Sequence, residues 1–139
     1  MRRHVNIALL AASMLAALTA AVHCFVGGQD TLGPLLASSI DAGAKYTLYA
    51  VWHMATVVLS FSSLAFLFGA LSEYARPARW MVSMLALLWL AFGLVFVVVA
   101  LVAGGTDWLL RLPQWTLLLP VGGLGLFGAW RPVGDAASR

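Results

Sequence analysis

Residues 80–102, WMVSMLALLWLAFGLVFVVVALV, contain no charged side chain, and Ser83 is the one hydroxyl among them. At a rise of about 1.5 Å per residue, roughly 17 to 25 such residues cross a bilayer core of about 30 Å. The stretch reads as a transmembrane helix, and similar blocks lie on either side of it. Residues 46–71 precede it, and residues 5–26 come earlier, broken only by Asn6, Ser13, Thr19, His23 and Cys24. Residues 112–130 follow it as the shortest block. No block alternates with period two, so helices are expected in place of a barrel. Composition agrees: 63% hydrophobic against 9% charged residues, with a mean hydropathy of +0.95, leaves too little polar surface for a water-soluble domain. The expected fold is all-α, an integral membrane four-helix bundle in a single transmembrane domain, 1–139.

Basic residues in short loops are retained on the cytoplasmic side of a membrane, so their placement predicts orientation. Arg2 and Arg3 precede the first helix, Arg76 and Arg79 separate the second from the third, and Arg131 and Arg139 follow the fourth. Only Lys45 and Arg111 fall on the opposite side. The distribution predicts an N-in, C-in protein. Tyr46, Tyr49, Tyr74, Trp80, Trp108, Trp115 and Trp130 cluster near the expected boundaries, as interfacial anchors do. Short connections at residues 72–79 and 104–111 make consecutive helices antiparallel neighbours. The longer segment, residues 27–45, is expected as an outer loop in which Pro34 opens a short helix lying at the surface, with Leu35, Leu36 and Ile40 on its apolar side.

A secretory signal peptide is the rival reading of the first block, since Arg2 and Arg3 charge its start and residues 17–21 are rich in alanine. The apolar run continues through Val22 to Val26, which favours a retained helix. A lipoprotein signal needs a small residue before its cysteine, whereas His23 precedes Cys24. One cysteine excludes an internal disulfide framework.

Polar residues at membrane depth are the informative ones. In the second block Tyr46, Tyr49, His53, Thr56, Ser60 and Ser63 recur at alternating intervals of three and four, which places them on one helix face. In the first block Ser13, Ala16, Ala20 and His23 form a face of small residues, suited to close packing. These two faces are expected to meet, with both histidines in the outer leaflet. An ionisable group in lipid faces a bundle interior or a cavity, so His23 and His53, with Tyr49 and Thr56, form the candidate cofactor-binding site. The plainer reading makes each imidazole a hydrogen-bonded tie between helices. The sharper one notes His23-Cys24 and His53-Met54, donors suited to copper or haem iron, although adjacent residues project about 100° apart and cannot easily share a centre. A quinone held by His53 and Tyr49 beside Trp52 is a third possibility.

The third block has the composition of a packing helix, and Met81 and Met84 read as packing residues in it. The fourth carries Pro120, expected to kink it, and Gly122, Gly123, Gly125 and Gly128, expected to serve a tight helix contact or an oligomer seam. Asp30, Asp41, Glu73, Asp107 and Asp135 all fall at loops or ends, which argues against a charged translocation path. No nucleophile stands beside a base, and His4 lies in the basic leading segment. The net charge of +3 reflects anchoring arginines that meet anionic lipid, so no nucleic-acid partner is expected.

His23 followed by Gly27-Gly28, Pro34-Leu35-Leu36, then Tyr49 and Trp52-His53 with Thr56, resembles a group of compact, uncharacterised four-helix membrane proteins of bacteria. The likeness covers the first half of the chain and implies a bacterial inner-membrane location, with no catalytic residue attached. Taken together, the sequence points to a non-enzymatic membrane protein, an accessory subunit or small oligomer whose partners are lipid and other membrane subunits or copies of itself. The alternative is a redox or ligand-binding component holding haem, copper or quinone between the first two helices.

Overall fold

The computed structural model describes residues 5–71 and 74–131. Arg2, Arg3, His4, Glu73, Asp135 and Arg139 lie outside the described residues. Helix α1 (Ile7–Val22) passes without a break into a π-helical segment (His23–Leu32) and then α2 (Gly33–Ala37). Helix α3 (Ala42–Ala70) returns, and α4 (Ala75–Gly104) runs back beside it. A 3₁₀ turn (Gly105–Asp107) and the single-turn α5 (Trp108–Arg111) lead to α6 (Trp115–Trp130). Three stretches, Ile7–Ala37, Ala42–Ala70 and Arg76–Arg111, are helical, long and apolar enough to cross a membrane, which is compatible with a membrane bundle; α6 is shorter.

Where the helices begin and end departs from the hydropathy reading, and each departure has a local cause. Residues 27–45 are mostly helix, not loop, and the short helix at Pro34 extends the first helix instead of standing apart from it. Leu32 and Gly33 both keep right-handed helical backbone angles, and Pro34 sits in the first turn of α2, where its missing N–H costs no hydrogen bond. Only residues 38–41 remain outside helix. Helix α3 starts at Ala42, ahead of the apolar block, because the Asp41 carboxylate accepts from the Ala44 N–H at 3.2 Å as an N-cap. Gly105, at a φ of +71°, stops α4. Pro113 disfavours helical geometry at Leu112 (φ −119°, ψ 69°), so α6 starts at Trp115 and its 16 residues span about 24 Å. It continues through Pro120 to Trp130.

Asn6 joins three helix ends. Its side-chain oxygen accepts from the Leu9 N–H at 3.2 Å and caps α1. Its backbone N–H donates to the Ala70 carbonyl at 2.8 Å, and its side-chain amide donates to the Gly128 carbonyl at 2.8 Å. The start of α1 therefore lies against the ends of α3 and α6, which makes both antiparallel to α1. Around the bundle the order is α1, α3, α4, α6, with α1 and α4 on a diagonal.

The core is built from small residues on α1 and larger ones on its neighbours: Ala12 and Ala16 face a layer containing Phe66, Trp89 and Val121, all fully buried. Helix α6 approaches through glycine. A β-carbon at Gly122 would meet Leu90 at 2.7 Å, at Gly125 it would meet Phe66 at 2.8 Å, and at Gly128 it would meet Leu9 at 2.7 Å. Gly123 faces open space. The glycine run is thus spent chiefly inside the chain. Two buried donors in this core, Ser83 Oγ and Trp89 Nε1, have no partner among the described residues.

Candidate functional site

The polar row of α3 divides by seven-residue spacing. Tyr49, Thr56 and Ser63 are half-buried, whereas Tyr46, His53 and Ser60 are exposed. A helix advances about 100° per residue, so alternating steps of three and four place alternate members in two rows about 40 to 60° apart. The packed row is Trp52, Thr56, Leu59, Ser63, Phe66 and Ala70, and the expected stripe lies along its edge.

Along that edge α1 and α3 exchange hydrogen bonds. Ser13 Oγ donates to the Ser63 carbonyl at 2.9 Å, and Ser63 Oγ donates to the Ser13 carbonyl at 3.1 Å. Each hydroxyl reaches a carbonyl already engaged in its own helix, so the pair ties two backbones without leaving a buried donor orphaned. Thr19, Thr47, Ser60 and Ser62 turn their hydroxyls back onto carbonyls four residues earlier in their own helices.

The histidines belong to two separate aromatic pairs. His23 stacks on Trp52, ring centres 4.0 Å apart and planes 16° from parallel, and its Nε2 lies 3.2 Å from the Trp52 carbonyl. For that contact to be a hydrogen bond, Nε2 carries the proton and donates. Thr56 Oγ1 donates to the same carbonyl at 3.3 Å. Gly27 admits the indole, since a β-carbon there would stand 3.1 Å from it. At this level Trp52 packs between His23 and Gly27. His53 meets Tyr49 edge-on with centres 4.5 Å apart, and it is exposed.

His23 follows Trp52, and His53 lies one residue further on, about 100° around α3. The two imidazoles thus belong to different aromatic pairs, His23 with Trp52 and His53 with Tyr49. Cys24 and Met54, the sulfur neighbours proposed with them, are both exposed. Among the described residues no three His, Cys, Asp or Glu side chains group as metal ligands do.

Sequence reasoning missed three residues that organise the fold. Trp52, a mere flank in the hydropathy pattern, heads the packed row that runs on through Leu59 and Phe66. Asn6 interrupts the apolar run in the sequence, yet a polar residue just before such a run is where an N-cap belongs. Lys45 is more than a loop charge: its ammonium donates to the Leu36 carbonyl at 3.1 Å and the Ser38 carbonyl at 2.6 Å, closing the end of α2 against the start of α3. Such a cation at a helix C-terminus also opposes the helix dipole. At the other end of the bundle an open groove lined by Phe68, Tyr74, Pro77, Ala78 and Met81 is apolar apart from the Tyr74 hydroxyl.

No family model, curated protein or solved structure matches this chain.

Proposed function

We propose that this chain is a multi-pass protein of a bacterial plasma membrane, with both ends cytoplasmic, that works without catalysis as an interaction subunit or small oligomer. Exposed side chains on α1 and α4, among them Ile7, Met14, Leu94 and Val98, are apolar and suit lipid. Arg76, Arg79 and Arg131 lie at the Asn6 end of the bundle, where positive charge favours the cytoplasmic face. Lys45, at the opposite end, is held by helix carbonyls and so has a local reason to be there.

The observation that carries an interaction role is the outward half of the α3 row. His53 and Tyr46 are exposed on a helix of membrane-spanning length and make no side-chain hydrogen bond among the described residues. A histidine such as His53, inside a membrane-spanning helix, faces protein or a cavity because lipid cannot solvate it, whereas Tyr46 stands near the helix start. A surface of this kind is built to be covered. Extraction of membranes with alkaline carbonate, then mass determination in mild detergent, tests the reading. Retention in the membrane with a mass above one chain is expected; a protein released by carbonate, or one that is always a bare monomer, would overturn it.

The second reading, a redox or ligand-binding component, keeps one supporting feature: exposed His53 beside Tyr49 could hydrogen-bond a quinone-type carbonyl. An absorption spectrum of the purified protein before and after dithionite, with metal and quinone analysis, separates it from the first. Stoichiometric haem, copper or quinone would favour it.

A further inference from the structure

The exposed face of α3 carries a second periodicity that the polar row conceals. Tyr46, Ala50, His53, Val57, Ser60 and Leu64 follow at intervals of four, three, four, three and four, and every one is exposed. That is the spacing of a left-handed helix-pair seam, the crossing most common between membrane helices. The seam combines small residues that let backbones approach, apolar residues that pack, and polar residues that bond across. The outward faces of α4 (Trp80, Met84, Leu87, Ala91, Leu94, Val98) and α6 (Thr116, Pro120, Gly123, Phe127) repeat the spacing, but among the described residues only α3 sets three hydrogen-bonding side chains, Tyr46, His53 and Ser60, along it.

We propose that α3 pairs in parallel with α3 of a second copy of this chain along that seam, with His53 at its centre. The inference rests on the membrane reading above and names the partner of the surface identified there. Copies inserted by one topology share one orientation, so their two-fold axis stands along the membrane normal and residues meet at equal depth. Each seam residue then faces its own counterpart. Only groups that both donate and accept are satisfied by such a meeting, and a tyrosine hydroxyl, a neutral imidazole and a serine hydroxyl all qualify. Ser60 Oγ already donates to the Thr56 carbonyl at 2.8 Å and retains lone pairs to accept with. No carboxylate, lysine or arginine lies in the seam to repel its copy.

The test is disulfide scanning of the full chain in native membranes. Exposed Cys24 is replaced (Cys24→Ser), and single cysteines are placed in the seam (Ala50→Cys, Val57→Cys) or beside it (Met54→Cys, Phe61→Cys). Oxidation with copper-phenanthroline is expected to cross-link the seam variants into dimers at least about fivefold more than the flanking ones. Adding His53→Leu to the Val57→Cys variant is expected to lower its cross-linking about fivefold, the ratio for loss of about 1 kcal/mol of interhelical hydrogen bonding. Uniform cross-linking across all four positions, no dimer, or a product with the mass of a different protein overturns the self-pairing seam. An unchanged yield with His53→Leu overturns the place given to His53. Fractionation of the same samples keeps the two ideas apart: a soluble chain sinks the membrane reading, whereas an integral but uncross-linked chain sinks only the seam.

Discussion

The inward and outward faces of α3 are written in nearly the same residues and put to different ends. Tyr49, Thr56 and Ser63 are half-buried; Thr56 bonds the Trp52 carbonyl of its own helix and Ser63 bonds across to the Ser13 carbonyl of α1. Tyr46, His53 and Ser60 stand seven residues apart on the open side. Helix α6 repeats the contrast with glycine: Gly122, Gly125 and Gly128 are buried against neighbours, and Gly123 faces nothing. A polar or small residue in such a chain therefore has no fixed meaning until its angular position is known. On the inside it sets the distance between helices; on the outside it is available to a partner.

The sharpest way to break this contrast is to fill a glycine. Gly125→Leu would drive a side chain into Phe66 and the Ala86 methyl group, and overpacking of this kind destabilises by about 1 to 3 kcal/mol or prevents assembly. Gly123→Leu should change stability by less than about 0.5 kcal/mol. Unfolding of both variants in mixed detergent micelles measures the difference; equal losses would mean that α6 is rotated relative to the described packing. Next in size is Asn6→Ala, which removes the α1 cap and the bond to the Gly128 carbonyl and should destabilise by about 1 to 2 kcal/mol. Asn6→Asp keeps the capping oxygen but loses the amide donor, so its loss should fall between that of Ala and wild type. If Asn6→Asp is as damaging as Asn6→Ala, the bond to α6 dominates over the cap.

How much of this was readable beforehand follows from which forces act over long stretches. Apolar blocks come from hydropathy summed over twenty or so residues, and antiparallel order from the short connections between them; both are legible in the sequence. Helix ends depend on single groups. Asp41 starts α3 ahead of its apolar block, and Pro113 delays α6, each through one backbone position that a hydropathy average smooths away. The π-helical backbone of His23–Leu32 was invisible for a related reason, since nothing in HCFVGGQDTL distinguishes a π turn from a loop until Trp52 is set against Gly27. In the candidate site the polar positions look like one face in the sequence because spacings of three and four approximate 3.6. A step of three turns about −60° and a step of four about +40°, so Tyr46, His53 and Ser60 form one row and Tyr49, Thr56 and Ser63 another about 40 to 60° away, enough to leave His53 exposed.

The smallest predicted effects draw the finest line between the two faces. Ser63→Ala removes one interhelical hydrogen bond and should destabilise the single chain by about 0.6 kcal/mol, the average for such bonds in a membrane protein. Ser13→Ala should do the same, and because each hydroxyl binds the other residue's carbonyl and not its hydroxyl, the two losses should add. Ser60→Ala deletes only a bond to its own helix and should leave single-chain stability unchanged to within about 0.5 kcal/mol. The same variant should weaken self-association, because Ser60 belongs to the seam. Unfolding of detergent-isolated monomers and cross-linking in membranes read these two quantities independently. A Ser60→Ala chain that loses stability as a monomer but associates normally would reverse the assignment of the two faces, and with it the reason for placing α3 at the contact between copies.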